Sequence, residues 1–397
     1  IKLNKFSQIT GEHIIVPYLF RRLIKHQYLN LMQGYWKALE GNKAYKPKVE
    51  SLFLKSFFDK TNPYVFLIDE KDFRIVETDF IAFKALKEAI SHSKISSEQI
   101  SSEQTAFISA STIGGMCETD QLYKDANLLS SGSEFISSYP GSTHALKIAK
   151  EYNLSGIVDV INTACSSSAN AIMLGAKLIK SGRATRAIVG GVDSLGKFSI
   201  NGFNALQIMS EENCAPFDEN RKGLNLGEGA AYLILESEEV VGEKKKYAEI
   251  LGYGNSNDAF HPSSLSEDAV GVAECMHKAL SCAAIEPHEI DYVNAHGTAT
   301  GNNDMTELTG LNKVFNGFPP FNSTKSYTGH TLAAAGAIEA VYSILSINNN
   351  EVYSNYYNDT MGRLVGIRYR FYGVIEIDKT KIIPIAANPA FIFVPIR

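Results

Sequence analysis

The sequence predicts a layered α/β protein assembled from two similar halves. Three observations carry that prediction. Short apolar runs of strand length alternate with longer segments of helical spacing through the middle of the chain. At 397 residues the chain exceeds what one simple core holds. Two strand-turn-helix units with small-residue helices, one around Cys165 and one around His330, echo each other in pattern and hint at an internal duplication.

A helix is predicted over 79–91, where Phe80, Phe83, Ala85, Leu86 and Ala89 fall mostly on one face. Thr105–Ala110 reads as a strand, and Gly156–Ile161, β-branched and apolar, as a buried one. After it, Ala169, Ile172, Met173, Ala176 and Ile179 recur at helical spacing, and Leu174 and Leu178 make that helix apolar almost all round. Ala187–Gly190 and Ala230–Leu235 are further strands. The charged stretch Ser237–Tyr247 then separates two domains, 1–240 and 241–397. Beyond it come a strand at Ala248–Tyr253, a helix over 267–283 and a strand at Ile290–Ala295. Phe321–Thr324 leads into a helix that begins near His330 and runs through Ala333, Ala337, Ala340 and Ile344.

Composition narrows the class. A net charge of −5 gives no reason to expect nucleic acid, and Lys244–Lys246 reads as a solvated loop. The five cysteines are scattered without a C-x-x-C pair, which argues against a disulfide framework or a zinc site and fits a reducing compartment. No apolar run approaches the roughly 20 residues of a membrane span. The stretch 14–31 is interrupted by Arg21, Arg22, Lys25 and His26, so it is neither a span nor a secretory segment. The expectation is a cytoplasmic protein.

Cys165 lies in Asn162-Thr163-Ala164-Cys165-Ser166-Ser167-Ser168-Ala169, between a predicted strand and a predicted helix. A helix N-terminus favours the thiolate, the nucleophilic form, and small neighbours leave room for an acyl group. Taken alone, the same residue reads more readily as a packed structural cysteine. His296, in Asn294-Ala295-His296-Gly297-Thr298-Ala299-Thr300, follows the carboxyl end of a strand, where α/β sheets place their ligands. His330, ending Thr324-Lys325-Ser326-Tyr327-Thr328-Gly329-His330, stands at another strand–helix junction. One thiol and two imidazoles at corresponding sheet edges point to a shared site.

These motifs make the chain resemble the β-ketoacyl-ACP synthases of the elongating type, over about residues 105–345. The resemblance rests on Thr163–Ser167, on Pro216-Phe217-Asp218 with Arg221-Lys222-Gly223, and on Gly227-Glu228-Gly229-Ala230. It also rests on His296–Thr300 and on Lys325–Thr331. It implies a thiolase-like fold of two pseudo-symmetric halves, layered α/β/α/β/α. It implies too that Cys165 accepts an acyl chain from an acyl carrier protein. His296 and His330 would then stabilise charge as a malonyl group on a second carrier loses carbon dioxide.

By the same resemblance Lys325 and Glu339 have electrostatic and orienting roles, and Thr298 and Thr300 bind the phosphopantetheine arm; a pair of strand-end threonines is the plainer alternative. Phe203 lines the acyl pocket or simply packs in the core. No metal and no organic cofactor is implied, since the phosphopantetheine arrives on the carrier. The resemblance implies a homodimer, with a heterodimer with a related subunit as the alternative.

Both ends depart from the pattern. Residues 1–70 keep only a trace of the usual opening, in Gly34–Gly41. Where the family carries a Gly-Phe-Gly-Gly loop, this chain has Ala386-Ala387-Asn388-Pro389-Ala390-Phe391. Pro389 has no N–H to lend an oxyanion hole. A non-catalytic chain-length-type partner is therefore the competing reading. A Cys-His hydrolase gives no reason for two histidines and a lysine.

Overall fold

The structure, a computed structural model, describes residues 78–137, 140–261 and 264–349, with the strand segments 351–352, 375–376, 382–386 and 390–393. The Gly34–Gly41 trace and the Ala387–Pro389 loop lie outside the described residues.

Strands β1 (Thr105–Ala110), β2 (Val158–Ile161), β3 (Arg186–Asp193) and β4 (Gly229–Glu236) form one sheet in the order β2-β1-β3-β4. The first three are parallel and β4 is antiparallel to β3. A second sheet uses β5 (Gly254–Asn257), β6 (Tyr292–Asn294) and β7 (Phe321–Asn322). A small ribbon pairs β8 (Glu351–Val352) with β9 (Ile375–Glu376). Then β10 (Ile382–Ala386) and β11 (Ala390–Phe393) complete the second sheet in the order β7-β6-β10-β11-β5. Here β7, β6 and β10 are parallel and β11 runs against β10. The run β7-β6-β10-β11 therefore repeats β2-β1-β3-β4 strand for strand, and the duplication read from the sequence pattern is a duplication of topology.

The helices are α1 (Thr78–Ser93), α2 (Thr119–Leu128), α3 (Thr143–Glu151), α4 (Ser167–Lys180) and α5 (Lys197–Ala205). They continue with α6 (Val270–Ala283), α7 (Gly301–Phe315) and α8 (Ala335–Asn349). α4 joins β2 to β3, and α8 stands at the corresponding place after β7. These two helices pack on each other between the sheets, in a core of Ala169, Ala171, Ile172, Ala337, Ile338 and Val341. α1 and α3 cover the outer face of the first sheet, while α6, with α7 against it, covers the second. Five layers result, α/β/α/β/α. The all-round apolarity of α4 follows from its middle position, buried against sheet and helix at once.

Gly336 makes the middle layer thin. A Cβ there would stand 2.8 Å from the backbone N of Ala169, so only glycine lets α8 approach α4 this closely.

Four expectations need correction. β2 is an edge strand, half-buried with Asp159 exposed, and not a buried one. The strand expected at Ala248–Tyr253 forms instead at Gly254–Asn257. Ala248, Ile250 and Tyr253 pack against the core between the sheets, which leaves the polar Gly-Asn-Ser-Asn run to pair with β11 at an edge. The last long helix starts at Ala335, after a 3₁₀ turn at Leu332–Ala334. On α1 the inward face is Ile81, Ala82, Ala85, Leu86 and Ala89, and Phe80 faces out beneath the Lys84 ammonium.

Candidate active site

The turn before α4 is held by its own small side chains. Ser166 Oγ donates to Thr163 O (2.7 Å), Ser167 N donates to Ala164 O (3.1 Å), and Thr163 N donates to Ser167 Oγ (2.8 Å). Asn170 Nδ2 reaches back to Thr163 Oγ1 at 2.7 Å. Ala164 takes φ +55°, a left-handed conformation that a non-glycine residue adopts only when its surroundings enforce it. Cys165 follows it, half-buried, two residues before the first turn of α4. The serines thus shape the turn more than they make space beside the thiol.

His330 occupies the corresponding place after β7. Its backbone is fixed on both sides: His330 N donates to Asn225 O (2.7 Å), and Gly227 N donates to His330 O (2.8 Å). Its Nε2 lies 2.9 Å from Cys165 Sγ. On the far side of the ring, Leu332 N donates to Nδ1 at 3.1 Å. A nitrogen that accepts from a backbone N–H carries no proton, so the ring proton sits on Nε2 and faces the sulfur.

His296 follows β6, and its ring stands edge-on to that of His330 with centroids 5.1 Å apart. Its Nδ1 lies 3.1 Å from Lys325 Nζ, an ammonium that can only donate. The His296 proton is therefore also on Nε2. Lys325 in turn pairs with Glu339 on α8, and both side chains are fully buried. One ring nitrogen from each histidine and Cys165 Sγ all lie within 4.8 Å of one another. That spacing resembles a metal trio. The hydrogen bonds do not suit one, because both Nδ1 atoms accept and so leave protons on the Nε2 atoms.

Electrostatics here differ from the sequence-based expectation for the thiol. Burial pushes Cys165 up to about 12; Lys325 opposes this, while Glu339 and Asp193 add to it. The resting group is a thiol and not a thiolate. Burial, then the Lys325 charge, holds His296 well below its ordinary value, and the same two causes act on His330. Both imidazoles are neutral donors. Burial raises Glu339 to about 7 against the pull of Lys325.

Thr298 and Thr300 meet where α7 begins, their Oγ1 atoms 2.8 Å apart. That bond consumes one hydroxyl proton and leaves the other to donate outward. Phe203, on α5, places its ring edge-on to His330 with centroids 6.5 Å apart. It also packs against the apolar cluster of Ile113, Leu195, Ile200 and Leu332, which is the packing role expected of it. Phe391 lies on β11 opposite Ser256.

Two family models match the chain: the β-ketoacyl synthase N-terminal domain over residues 32–240, and the C-terminal domain over 247–356. The chain belongs to the β-ketoacyl synthase family. The match reaches beyond the 105–345 over which the motifs are plain. A 3-oxoacyl-[acyl-carrier-protein] synthase 2 from Coxiella burnetii is 32% identical over 346 residues, covering 81% of this chain and 83% of that protein. A type II polyketide ketosynthase, solved with its acyl carrier protein and bound to the hexaketide, superposes with a TM-score of 0.75. It is 27% identical and covers 81% of this chain and 84% of its own. The ketosynthase solved with its chain length factor from Xenorhabdus doucetiae gives 0.67 at 30% identity, covering 78% and 77%.

In this β-ketoacyl synthase several buried carboxylates serve the site and were missed in the sequence. Glu307, in the second turn of α7, accepts from His296 N (2.8 Å) and Gly297 N (2.7 Å). Gly297 itself has φ +46° and sits where a Cβ would crowd Ser323. Burial, reinforced by the Asp304 charge, raises Glu307 to about 8. Asp304 accepts from Phe217 N (2.8 Å) and Ala299 N (3.1 Å), which anchors the Pro216-Phe217-Asp218 motif to the histidine loop. The available signal was a carboxylate pair at i, i+3 opening a helix directly after the histidine loop, whose N–H groups need acceptors.

Proposed function

We propose that this protein condenses an acyl chain held on Cys165 with a malonyl group, both delivered by acyl carrier protein. The observation that carries the reading is that each imidazole carries its proton on Nε2, assigned by what faces Nδ1, with His330 Nε2 2.9 Å from the Cys165 sulfur and a ring nitrogen of His296 within 4.8 Å of it. Cys165 Sγ attacks the acyl thioester. A C–S bond forms on Cys165, the bond to the carrier breaks, and the thiol proton leaves with the departing thiolate. In the second step the malonyl group loses carbon dioxide, and the bonding pair becomes an enolate. The His296 and His330 Nε2–H groups stabilise its oxygen. The enolate carbon then attacks the acyl thioester, the C–S bond to Cys165 breaks, and the departing thiolate takes a proton from solvent, giving a β-ketoacyl chain two carbons longer.

Two proton donors suit this chemistry better than a base, because no proton is taken from carbon. Lys325 with Glu339, and Thr298 with Thr300, are assigned to orientation and to the carrier arm, and Phe203 to the acyl pocket. The site needs no metal or cofactor of its own. The open edge of β2 supports pairing with a second copy of the chain, and a homodimer is the assembly we propose. Convergence of Cys165, His296, His330 and Lys325 disfavours the non-catalytic chain-length reading, which gives no reason for all four to be kept together.

Intact-mass analysis after incubation with acyl-loaded carrier tests the first step. The expected result is one acyl adduct on the wild type and none on Cys165→Ala; an unmodified wild type overturns the proposal. Cys165→Gln should release carbon dioxide from malonyl-loaded carrier while making no condensed product, and loss of both activities contradicts the division of roles.

A further inference from the structure

Asp193 takes no part in the chemistry proposed above, yet its side chain is fully buried and gathers donors from two distant segments. Its Oδ1 accepts from Ser111 Oγ (2.8 Å), Thr112 N (2.9 Å) and Ile113 N (3.0 Å). Its Oδ2 accepts from Thr112 Oγ1 (2.5 Å) and, across the layers, from Ala333 N (2.8 Å). Asp193 closes β3, the 111–113 segment follows β1, and Ala333 lies three residues beyond His330.

The Ala333 contact matters because of the residue before it. Leu332 has φ +52°, a left-handed conformation that a non-glycine residue keeps only where neighbours hold it. The Thr331 backbone (φ −87°, ψ 24°) turns the Leu332 N–H back onto His330 Nδ1, and the left-handed φ of Leu332 then joins that peptide to the one whose N–H Asp193 holds. If Ala333 were released and Leu332 relaxed to ordinary φ with α8 fixed behind it, the Thr331–Leu332 peptide would have to rotate, its N–H would leave the ring, and the His330 proton could move to Nδ1. A bare Nε2 would then face the sulfur and the enolate.

We propose that Asp193 is a positioning residue: by holding Ala333 it keeps the Leu332 turn in place and the His330 proton on Nε2. The same carboxylate carries Ile113, which lies with Leu332 and Phe203 in the apolar cluster at the site. The pocket wall and the histidine turn are thus tied to one group. The catalytic meaning rests on the function proposed above; the effect on the His330 proton does not.

Histidine-selective ¹⁵N spectra test this apart from activity, using Asp193→Asn and Asp193→Glu with the His330 signals assigned by His330→Gln. The wild type should show His330 as the Nε2–H tautomer alone. Asp193→Asn should show a rise in Nδ1–H, with kcat for malonyl decarboxylation down about tenfold and KM unchanged. Asp193→Glu, which keeps charge and acceptors, should recover part of both. A wild-type His330 carrying Nδ1–H overturns the proposal whether or not the variants fold, as does a folded Asp193→Asn with an unchanged tautomer. Failure of the wild type to become acylated removes the proposed function but leaves the tautomer result standing.

Discussion

Lys325 Nζ lies 3.1 Å from His296 Nδ1, so a buried cation fixes where a neutral imidazole carries its proton. The lysine is held in turn by Glu339, and neither side chain reaches solvent. Lys325→Met should release the His296 tautomer and lower malonyl decarboxylation on the order of 10²-fold. Carbon dioxide release from malonyl-loaded carrier measures it. Decarboxylation at the wild-type rate contradicts the role given to the ammonium.

The Cys165 thiol, raised to about 12 by burial, predicts an alkylation profile. Below that pKa the thiolate fraction grows tenfold per pH unit, so the iodoacetamide rate should climb without a plateau from pH 7 to 10. A plateau below pH 9 would show a resting thiolate instead. The low pKa values of His296 and His330 predict no inflection in that profile near pH 6.5.

Stability should also depend on pH through His144. This side chain is buried, with Nε2 2.7 Å from Ser109 Oγ, which in turn meets Tyr232 Oη at 2.8 Å. Burial lowers its pKa to about 4. Between that value and 6.5 the unfolded chain binds more protons than the folded one. Stability is therefore full above pH 6.5 and declines as pH falls towards 4, by on the order of 3 kcal/mol from this group. His296 and His330 act with the same sign. Urea midpoints at pH 7.0, 5.5 and 4.5 should fall more steeply for wild type than for His144→Gln; parallel slopes refute the assignment.

Gly336 offers a steric test. A methyl group there meets the Ala169 backbone at 2.8 Å, so Gly336→Ala must move α8 from α4 or bend one of them. Cys165 precedes α4 and His330 precedes α8, so the 2.9 Å sulfur–nitrogen contact should lengthen. Acylation should slow by about tenfold, with a stability loss of about 1–3 kcal/mol. Wild-type activity in this variant would show that the helix spacing does not set the contact.

Much of this was legible in the sequence, for identifiable reasons. The turn residues around Cys165, His296 and His330 are local signals, since each strand, turn and helix start lies within a few positions. What escaped depends on partners far along the chain. Asp193 meets Ala333, 140 residues away, and nothing near Asp193 announces a donor there. Glu307 and Asp304 looked like ordinary charges of a helix start until the fold folded the histidine loop onto them. Gly254–Asn257 carries no strand propensity, and β11 recruited it because Ala248, Ile250 and Tyr253 were needed in the core. The Cys165 pKa is likewise set by layers closing around the turn, which a helix-start argument does not contain.

The repeated order β2-β1-β3-β4 and β7-β6-β10-β11 places Cys165 and His330 at one and the same address in two copies of a single design. The copies differ in the reagent each delivers there, a sulfur from one and a proton donor from the other. Because α4 and α8 lie back to back, the two addresses face each other across the internal pseudo-dyad. Reactivity therefore belongs to the seam between the copies. A change that breaks the likeness of the halves at that seam alters the chemistry, while the same change elsewhere alters only the scaffold.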